Sequence, residues 1–334
     1  MQPVGAARRG WAATMLALSV LACPVEARSA SPQAESGAWP TRPLRVVVPF
    51  PPGGSSDVIA RLTATRVGES LRQPVVVDSR PGAGTSIGNA IVARATPDGH
   101  TLLLADTAFA ASSAVLQGLP YDALRDFAPV VQLAVSAQYL YAATGRFADA
   151  KALIETARAR PGRFALGSGG NGTTTHFMVE LFARSIGTAI VHVPYKGSAP
   201  ALTDAAAGQV EGAFSSYPSA AALIASGRLQ PLAIAAQRRH PSQPSVPTFA
   251  ELGAKDLVVD HWWGVIGPAG IPAAVVERLN AVYAQSLGQP EVRERLVGLA
   301  ADARAGTAAQ FRQLITADIR RFSAIAREAG IRAD

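Results

Sequence analysis

The chain has 334 residues, 49% of them hydrophobic, 16% charged and 6% aromatic, which is material for about two domains with cores of ordinary size. Its formal net charge is +7, but the basic residues are scattered, and the densest run is only Arg238-Arg239-His240. No basic stripe is interleaved with aromatics, so a nucleic-acid groove is excluded, while attraction of small anions is allowed.

The first 27 residues read as a cleaved export signal. Arg8 and Arg9 form a charged start, residues 11–22 an apolar stretch, and Val25-Glu26-Ala27 supplies small residues before a cut. The apolar stretch falls short of the roughly 20 residues of a spanning helix, and no later segment competes with it. A twin-arginine signal at Arg8-Arg9 and a lipoprotein site at Cys23 fit less well, the latter because Pro24 follows the cysteine. Cys23 is the only cysteine and leaves with the signal. The mature chain is therefore expected to have no disulfide, thiol nucleophile or cysteine-based metal site.

Residues 28–41, rich in Ser, Ala and Pro, read as a flexible leader. A strand at 44–48 then runs into Pro49-Phe50-Pro51-Pro52-Gly53-Gly54-Ser55-Ser56, with a helix over 57–71. A second strand at 75–77 leads through Arg80-Pro81-Gly82-Ala83-Gly84-Thr85-Ser86 into a helix ending near 95, and a third strand covers 101–105. Residues 130–135 and 139–143 are strand-like, and 149–160 reads as a helix with Asp149 as its N-cap. A strand at 164–167, a glycine-rich turn at 168–173 and a helix at 174–186 follow. Next come a strand at 190–193, a helix at 199–207 and strands at 210–214 and 232–236. The Pro-rich stretch 241–247 looks like a connection between lobes, before a strand at 262–266 and helices at 273–287 and 308–329. Strands alternating with helices predict parallel βαβ units and an α/β fold.

One arrangement recurs: apolar strand, glycine-rich turn, hydroxyl residue, helix. It occurs at Gly53-Gly54-Ser55-Ser56, at Gly82-Ala83-Gly84-Thr85-Ser86 and at 169–175, with a shorter version at Gly197-Ser198. Each turn places free backbone N–H groups at the positive end of a helix dipole. Such turns are seats for a carboxylate or phosphate, although each alone also serves as a plain βα connection. Neither nucleotide fingerprint fits, because Gly82-Ala83-Gly84 lacks the third glycine and no Gly-Lys-Ser/Thr follows any turn.

Catalytic patterns are thin. Leu166 stands where a Gly-x-Ser-x-Gly elbow around Ser168 needs its first glycine. The histidines, at 100, 176, 192, 240 and 261, show no zinc-ligand spacing. His176 reads as a capping or structural residue before a ligand contact, and Asp57 as a helix-start carboxylate. An exported hydrolase using Ser168 and His176 has no motif that requires it.

Several separate motifs carry a resemblance to a known family. They are Val47-Val48-Pro49-Phe50-Pro51-Pro52-Gly53-Gly54-Ser55-Ser56-Asp57, Arg80-Pro81-Gly82-Ala83-Gly84 and Thr96-Pro97-Asp98-Gly99-His100-Thr101-Leu102-Leu103. Further ones are Leu119-Pro120-Tyr121-Asp122, Asp126-Phe127-Ala128-Pro129, Gly167-Ser168-Gly169 with His176-Phe177, His192-Val193-Pro194-Tyr195-Lys196-Gly197 with Pro200, and Pro247-Thr248-Phe249-Ala250-Glu251 with Gly253. Across the whole expected mature chain it resembles the periplasmic receptors of tripartite tricarboxylate transporters, the Bug-type binding proteins.

The resemblance implies a two-lobed periplasmic binding protein of the type II-like α/β class, each lobe a mostly parallel sheet flanked by helices, closing like a clam shell on a cleft. The lobes are expected at 42–138 and 139–238, with 239–334 returning to the first. It implies no enzyme, cofactor or metal. Its partners would be a small organic acid or amino-acid-like ligand and integral membrane transporter subunits, with the receptor a monomer. A sensory or orphan receptor is the alternative. Matching the family's turns gives ligand-binding candidates at Gly54, Ser55, Ser56, Thr85, Ser86, Ser168, Thr173, Thr174, Thr175 and His176, with Tyr195 and Lys196 serving ligand or lobe closure. Two departures stand out. Ser215 and Ser216 replace an acidic residue common after the position of Phe214, and Asp106-Thr107 stands where small or hydroxyl residues are common. An Asp106 facing the cleft would reject a second carboxylate and favour an amine or amide.

Overall fold

The first strand, β1 (Leu44–Val48), has side chains that alternate between two apolar layers. Val46 and Val48 pack on one face of the sheet and Val47 on the other, as the period of two requires. In this computed structural model residues 39–254 and 257–332 are described; the expected export signal and nearly all of the leader lie outside them.

β1 lies between β2 (Val75–Ser79) and β3 (Thr101–Asp106), both parallel to it. The helices α1 (Ser55–Leu71) and α2 (Ser86–Ala93) make the crossovers. β9 (Asp260–Pro268) adds antiparallel to β3, and β4 (Phe127–Ala143) pairs antiparallel with β9. The far half of the sheet is parallel again, built from β5 (Ala165–Ser168), β6 (Val191–Pro194) and β7 (Gly212–Ser216). The order is β2-β1-β3-β9-β4-β7-β5-β6, with β8 (Leu229–Ile234) and β10 (Ala301–Ala303) also pairing with β4.

β4 joins the halves by changing partners along its length. Up to Ala137 it pairs with β9, and from Gln138 onward with β7. The chain returns between β8 and β9. These two crossings give a two-lobed α/β fold, with helices on both faces of a curled, mixed sheet. α1 and α8 (Ala273–Gly288) cover one face of the first lobe with Ile59, Val67, Leu279 and Tyr283. α3 (Thr107–Val115) and α10 (Ala308–Ala329) cover the other with Phe109, Phe311, Ile315 and Phe322. That second layer continues into the far lobe through Phe177 and Phe182 of α5 (Thr174–Ile186), so one apolar core spans the sheet. α6 (Ser198–Ala206) and α7 (Tyr217–Ala225) close the far lobe's opposite face around Tyr139 and Tyr141.

α3, α7 and α9 (Pro290–Gly298) are helices beyond those expected, and β4 is one strand where two were expected. No helix among the described residues is long and apolar enough to cross a membrane.

Candidate functional site

Four helices begin where the lobes face each other: α1 after Gly54, α5 after Thr173, α6 after Gly197 and α7 after Ser216. None has an N-cap side chain bonded to its own first-turn amides. Elsewhere, Asp149 caps α4 (Ala150–Ala159) through the Ala152 N–H, and Thr307 and Gln310 form a capping box on α10. Helix geometry supplies no partner for the first-turn amides of such helices, and at α1 the Ser55 N–H is taken up by Ser219 Oγ.

A narrow cavity of about 30 Å³ lies between these helix starts. One wall is Phe50, Pro51, Gly54, Ser55 and Ser56; the other is Gly169, Thr173, Thr174, Thr175 and Ser198. Asp106, Ala108, Gln138, Ser216 and His261 complete it where β3, β9, β4 and β7 end or cross. Among these lining residues there is no Lys or Arg. An outer chamber of about 230 Å³ shares Phe50 and Gly169 with it and is lined by Gly84, Thr85, Asn171, Tyr195 and exposed Lys196.

The lobes approach closely at two glycines. A Cβ on Gly84 would stand 2.7 Å from the Asn171 carbonyl oxygen, and one on Gly197 2.6 Å from Pro51 Cδ. Both have positive φ, 56° and 124°, which side chains disfavour. A hydrogen bond from the Ser55 N–H to Ser219 Oγ of α7, at 2.7 Å, ties the lobes beside the cavity.

The expected site residues fall into three groups. Gly54, Ser55, Ser56, Asp106, Thr173, Thr174 and Thr175 line the inner cavity. Thr85, Tyr195 and Lys196 line the outer chamber, where the Thr85 hydroxyl meets Asn89 Nδ2 at 3.0 Å and the Tyr195 hydroxyl donates to Asp204 at 2.8 Å. Ser86, Thr107, Ser168, His176 and Ser215 lie outside both linings. Thr107 Oγ1 accepts from the Trp262 N–H at 2.8 Å and so ties α3 to β9. Ser215 pairs with Tyr139 across the sheet, so its neighbour Ser216, opposite Gln138, takes the cavity side. Asp57, read as a helix-start carboxylate, accepts from the Gly53 N–H at 3.1 Å and pairs with Arg61 at 2.9 Å.

Ser168 and His176 do not meet as a nucleophile and base. Ser168 is fully buried, and its Oγ contacts His192 Nε2 at 2.5 Å and accepts from the Gly170 N–H at 3.1 Å. His176 Nδ1 accepts from the Gly172 N–H at 3.2 Å, so both side chains brace the 168–173 turn. His176, Glu180 and His192 bring three ligand atoms within 4.8 Å of one another. The two imidazoles are stacked at 4.2 Å and 15°, however, so one ion cannot lie in both ring planes. Burial lowers both histidines, His192 to about 4 with His176 beside it, which fits neutral, stacked rings.

Sequence reasoning missed Gln138, Ser216 and His261. Four of the buried polar atoms without a partner belong to cavity residues: Gln138 Oε1, both His261 ring nitrogens and Thr174 Oγ1. Such atoms cost about 1–3 kcal/mol each unless a ligand or water meets them. Asp106 Oδ2 accepts from the Ser56 hydroxyl and Oδ1 from the Ala108 N–H, at 2.7 and 2.8 Å. Burial pushes its carboxyl up to about 7 despite those two donors, and burial pushes His261 down to about 3. With His261 Nε2 3.7 Å from Asp106 Oδ2, the two side chains together carry no net charge in mildly acidic solution.

Two lobes joined by crossing strands around a cleft of helix N-termini define the class of solute-binding receptors. Residues 59–331 match the tripartite tricarboxylate transporter family receptor, TctC, and the chain belongs to that family. BugT of Bordetella pertussis is 37% identical over 295 residues, 87% of this chain and 90% of that one. R. palustris Rpa4515, solved with adipate, superimposes with a TM-score of 0.84 at 34% identity, covering 88% of this chain and 99% of that one. MatC from Rhodopseudomonas palustris, solved with bound malate, gives 0.81 at 31% identity, covering 86% of this chain and 99% of that one. The family is one of receptors, and the chain is a solute-binding protein rather than an enzyme.

Proposed function

We propose that the chain captures a small organic acid or amino-acid-like solute outside the cytoplasmic membrane and delivers it to a tripartite tricarboxylate-type transporter. The observation that carries this reading is the inner cavity, where the starts of α1 and α5 meet without capping side chains and the buried Thr174 hydroxyl has no protein partner. A carboxylate at that point meets backbone N–H groups and the positive ends of helix dipoles without needing a cation. Adipate and malate in the two related structures support a carboxylate as the ligand.

The lobes, bounded near 138 and 238, close on the ligand, and their helical faces then dock on the membrane subunits. One chain suffices to line this cavity, and the receptor is proposed to work as a monomer. The expected export signal places it in the periplasm. Equilibrium binding of the mature protein to mono-, di- and tricarboxylates and amino acids tests the reading. Saturable binding that is weakened in Thr174→Val supports it. The absence of binding, with no small molecule released on denaturing the purified protein, contradicts it.

A further inference from the structure

The strand register gathers a second set of polar groups on one face of the sheet at the cavity. Asp106 pairs with Trp263, and His261 lies two residues before Trp263 on β9, so all three share a face. His261 pairs with Ser136, and Gln138 follows two residues along β4 on that same face. Gln138 in turn pairs with Ser216 of β7. Trp263 packs edge-on against the imidazole of His261 at 4.6 Å and 78°, which fixes its plane.

This set is rich in acceptors. Asp106 offers carboxyl oxygens, Gln138 an unpartnered carbonyl oxygen, and neutral His261 an unpartnered lone pair along with one N–H. No Lys or Arg lines the cavity to neutralise a second anion. Gln138 is 1% exposed and His261 5%, so these groups turn inward and not to solvent. The helix starts favour an anion, whereas this floor offers acceptors and, once Asp106 is ionised, repels one.

We infer that Asp106, Gln138 and His261 form a donor-selecting subsite, and that the preferred ligand is a monocarboxylate carrying an ammonium, amide or hydroxyl donor at its other end. This rests on the carboxylate reading above and narrows it. Above about pH 7, where Asp106 is ionised, a dicarboxylate of equal length places its second carboxylate against Asp106 and Gln138 Oε1 with no cation to offset it. An ammonium or amide N–H there satisfies the acceptors that the protein leaves open.

Titration calorimetry at pH 7.5 tests this with matched series: succinate, succinamate and 4-aminobutanoate, then adipate, adipamate and 6-aminohexanoate. Wild type is expected to bind the best amide or amine at least tenfold more tightly than the dicarboxylate of the same length. Asp106→Asn retains an oxygen acceptor of the same shape, and is expected to narrow that ratio at least fivefold. The wild-type ratio needs no variant, so it stands even if Asp106→Asn folds poorly. Dicarboxylates binding as well as or better than their partners would overturn the subsite while leaving the carboxylate reading intact. No binding by any member of either series would overturn both.

Discussion

Burial moves Asp106 and His261 in opposite directions, to about 7 and about 3 from ordinary values of 3.8 and 6.5. Between about pH 4 and 6.5 the folded pair holds one proton, on Asp106, and the unfolded pair also holds one, on His261. Their effects on stability therefore cancel over that window. Taken alone, Asp106 binds more protons folded than unfolded from its unfolded value up to its folded one, so its contribution is lost as pH rises toward 7. Asp106→Asn removes that loss and leaves the rise due to His261. The stability of Asp106→Asn relative to wild type should climb from pH 4 to 7, by on the order of 2–4 kcal/mol. Paired thermal melts across that range check this, and a difference independent of pH contradicts it. Thr174→Val is a second residue-scale test. The hydroxyl has no protein partner, so its removal should change ligand-free stability by less than about 0.5 kcal/mol. If the hydroxyl donates to a ligand carboxylate, the same change should weaken binding about tenfold, the equivalent of a charge-assisted hydrogen bond.

At the scale of elements, the bond from the Ser55 N–H to Ser219 Oγ is a side-chain tie between α1 and α7. Ser219→Ala leaves that amide without an acceptor only when the lobes are closed, since an open cleft gives it water. Affinity should fall about fivefold, near 1 kcal/mol, while ligand-free unfolding is little changed. Small-angle scattering with and without ligand distinguishes this from a general loss of stability. The elements also show what the sequence could reveal. The helices at 174–186 and 308–329 were legible because an apolar stripe alternates with polar positions along them. α3 and α7 were hidden, since Thr107-Ala108-Phe109-Ala110-Ala111-Ser112 and Ala220-Ala221-Ala222 are, Phe109 apart, small residues without a periodic stripe. β4 read as two strands because Ser136 and Gln138 interrupt its apolar run. That interruption is where the strand crosses the cavity floor, so the break in pattern was itself a signal of the site. Gln138 and His261 escaped because they become neighbours only through pairing between β4 and β9.

At the scale of the whole molecule, the two lobes approach closely at Gly84 and Gly197, and the cavity between them is small. A receptor closed in this way gains stability from its ligand by mass action. At a hundredfold excess over the dissociation constant the gain is about 2.7 kcal/mol, a shift of several degrees for a chain of this size. Alanine at Gly84, with its Cβ 2.7 Å from the Asn171 oxygen, should hold the lobes apart and reduce that shift for every ligand alike. Asp106→Asn should instead change the ranking among ligands. The contrast separates closure, a property of the molecule, from selectivity, a property of the floor.

The most direct measurement is the thermal unfolding of the mature protein from residue 28 against a panel of mono-, di- and tricarboxylates, amino acids and acid amides, with Thr174→Val alongside. Capture of a carboxylate between the helix starts predicts a rise of several degrees with one chemical class and a much smaller rise in Thr174→Val. Equal shifts in wild type and variant, or no shift with any carboxylate and no small molecule released on denaturation, would contradict it.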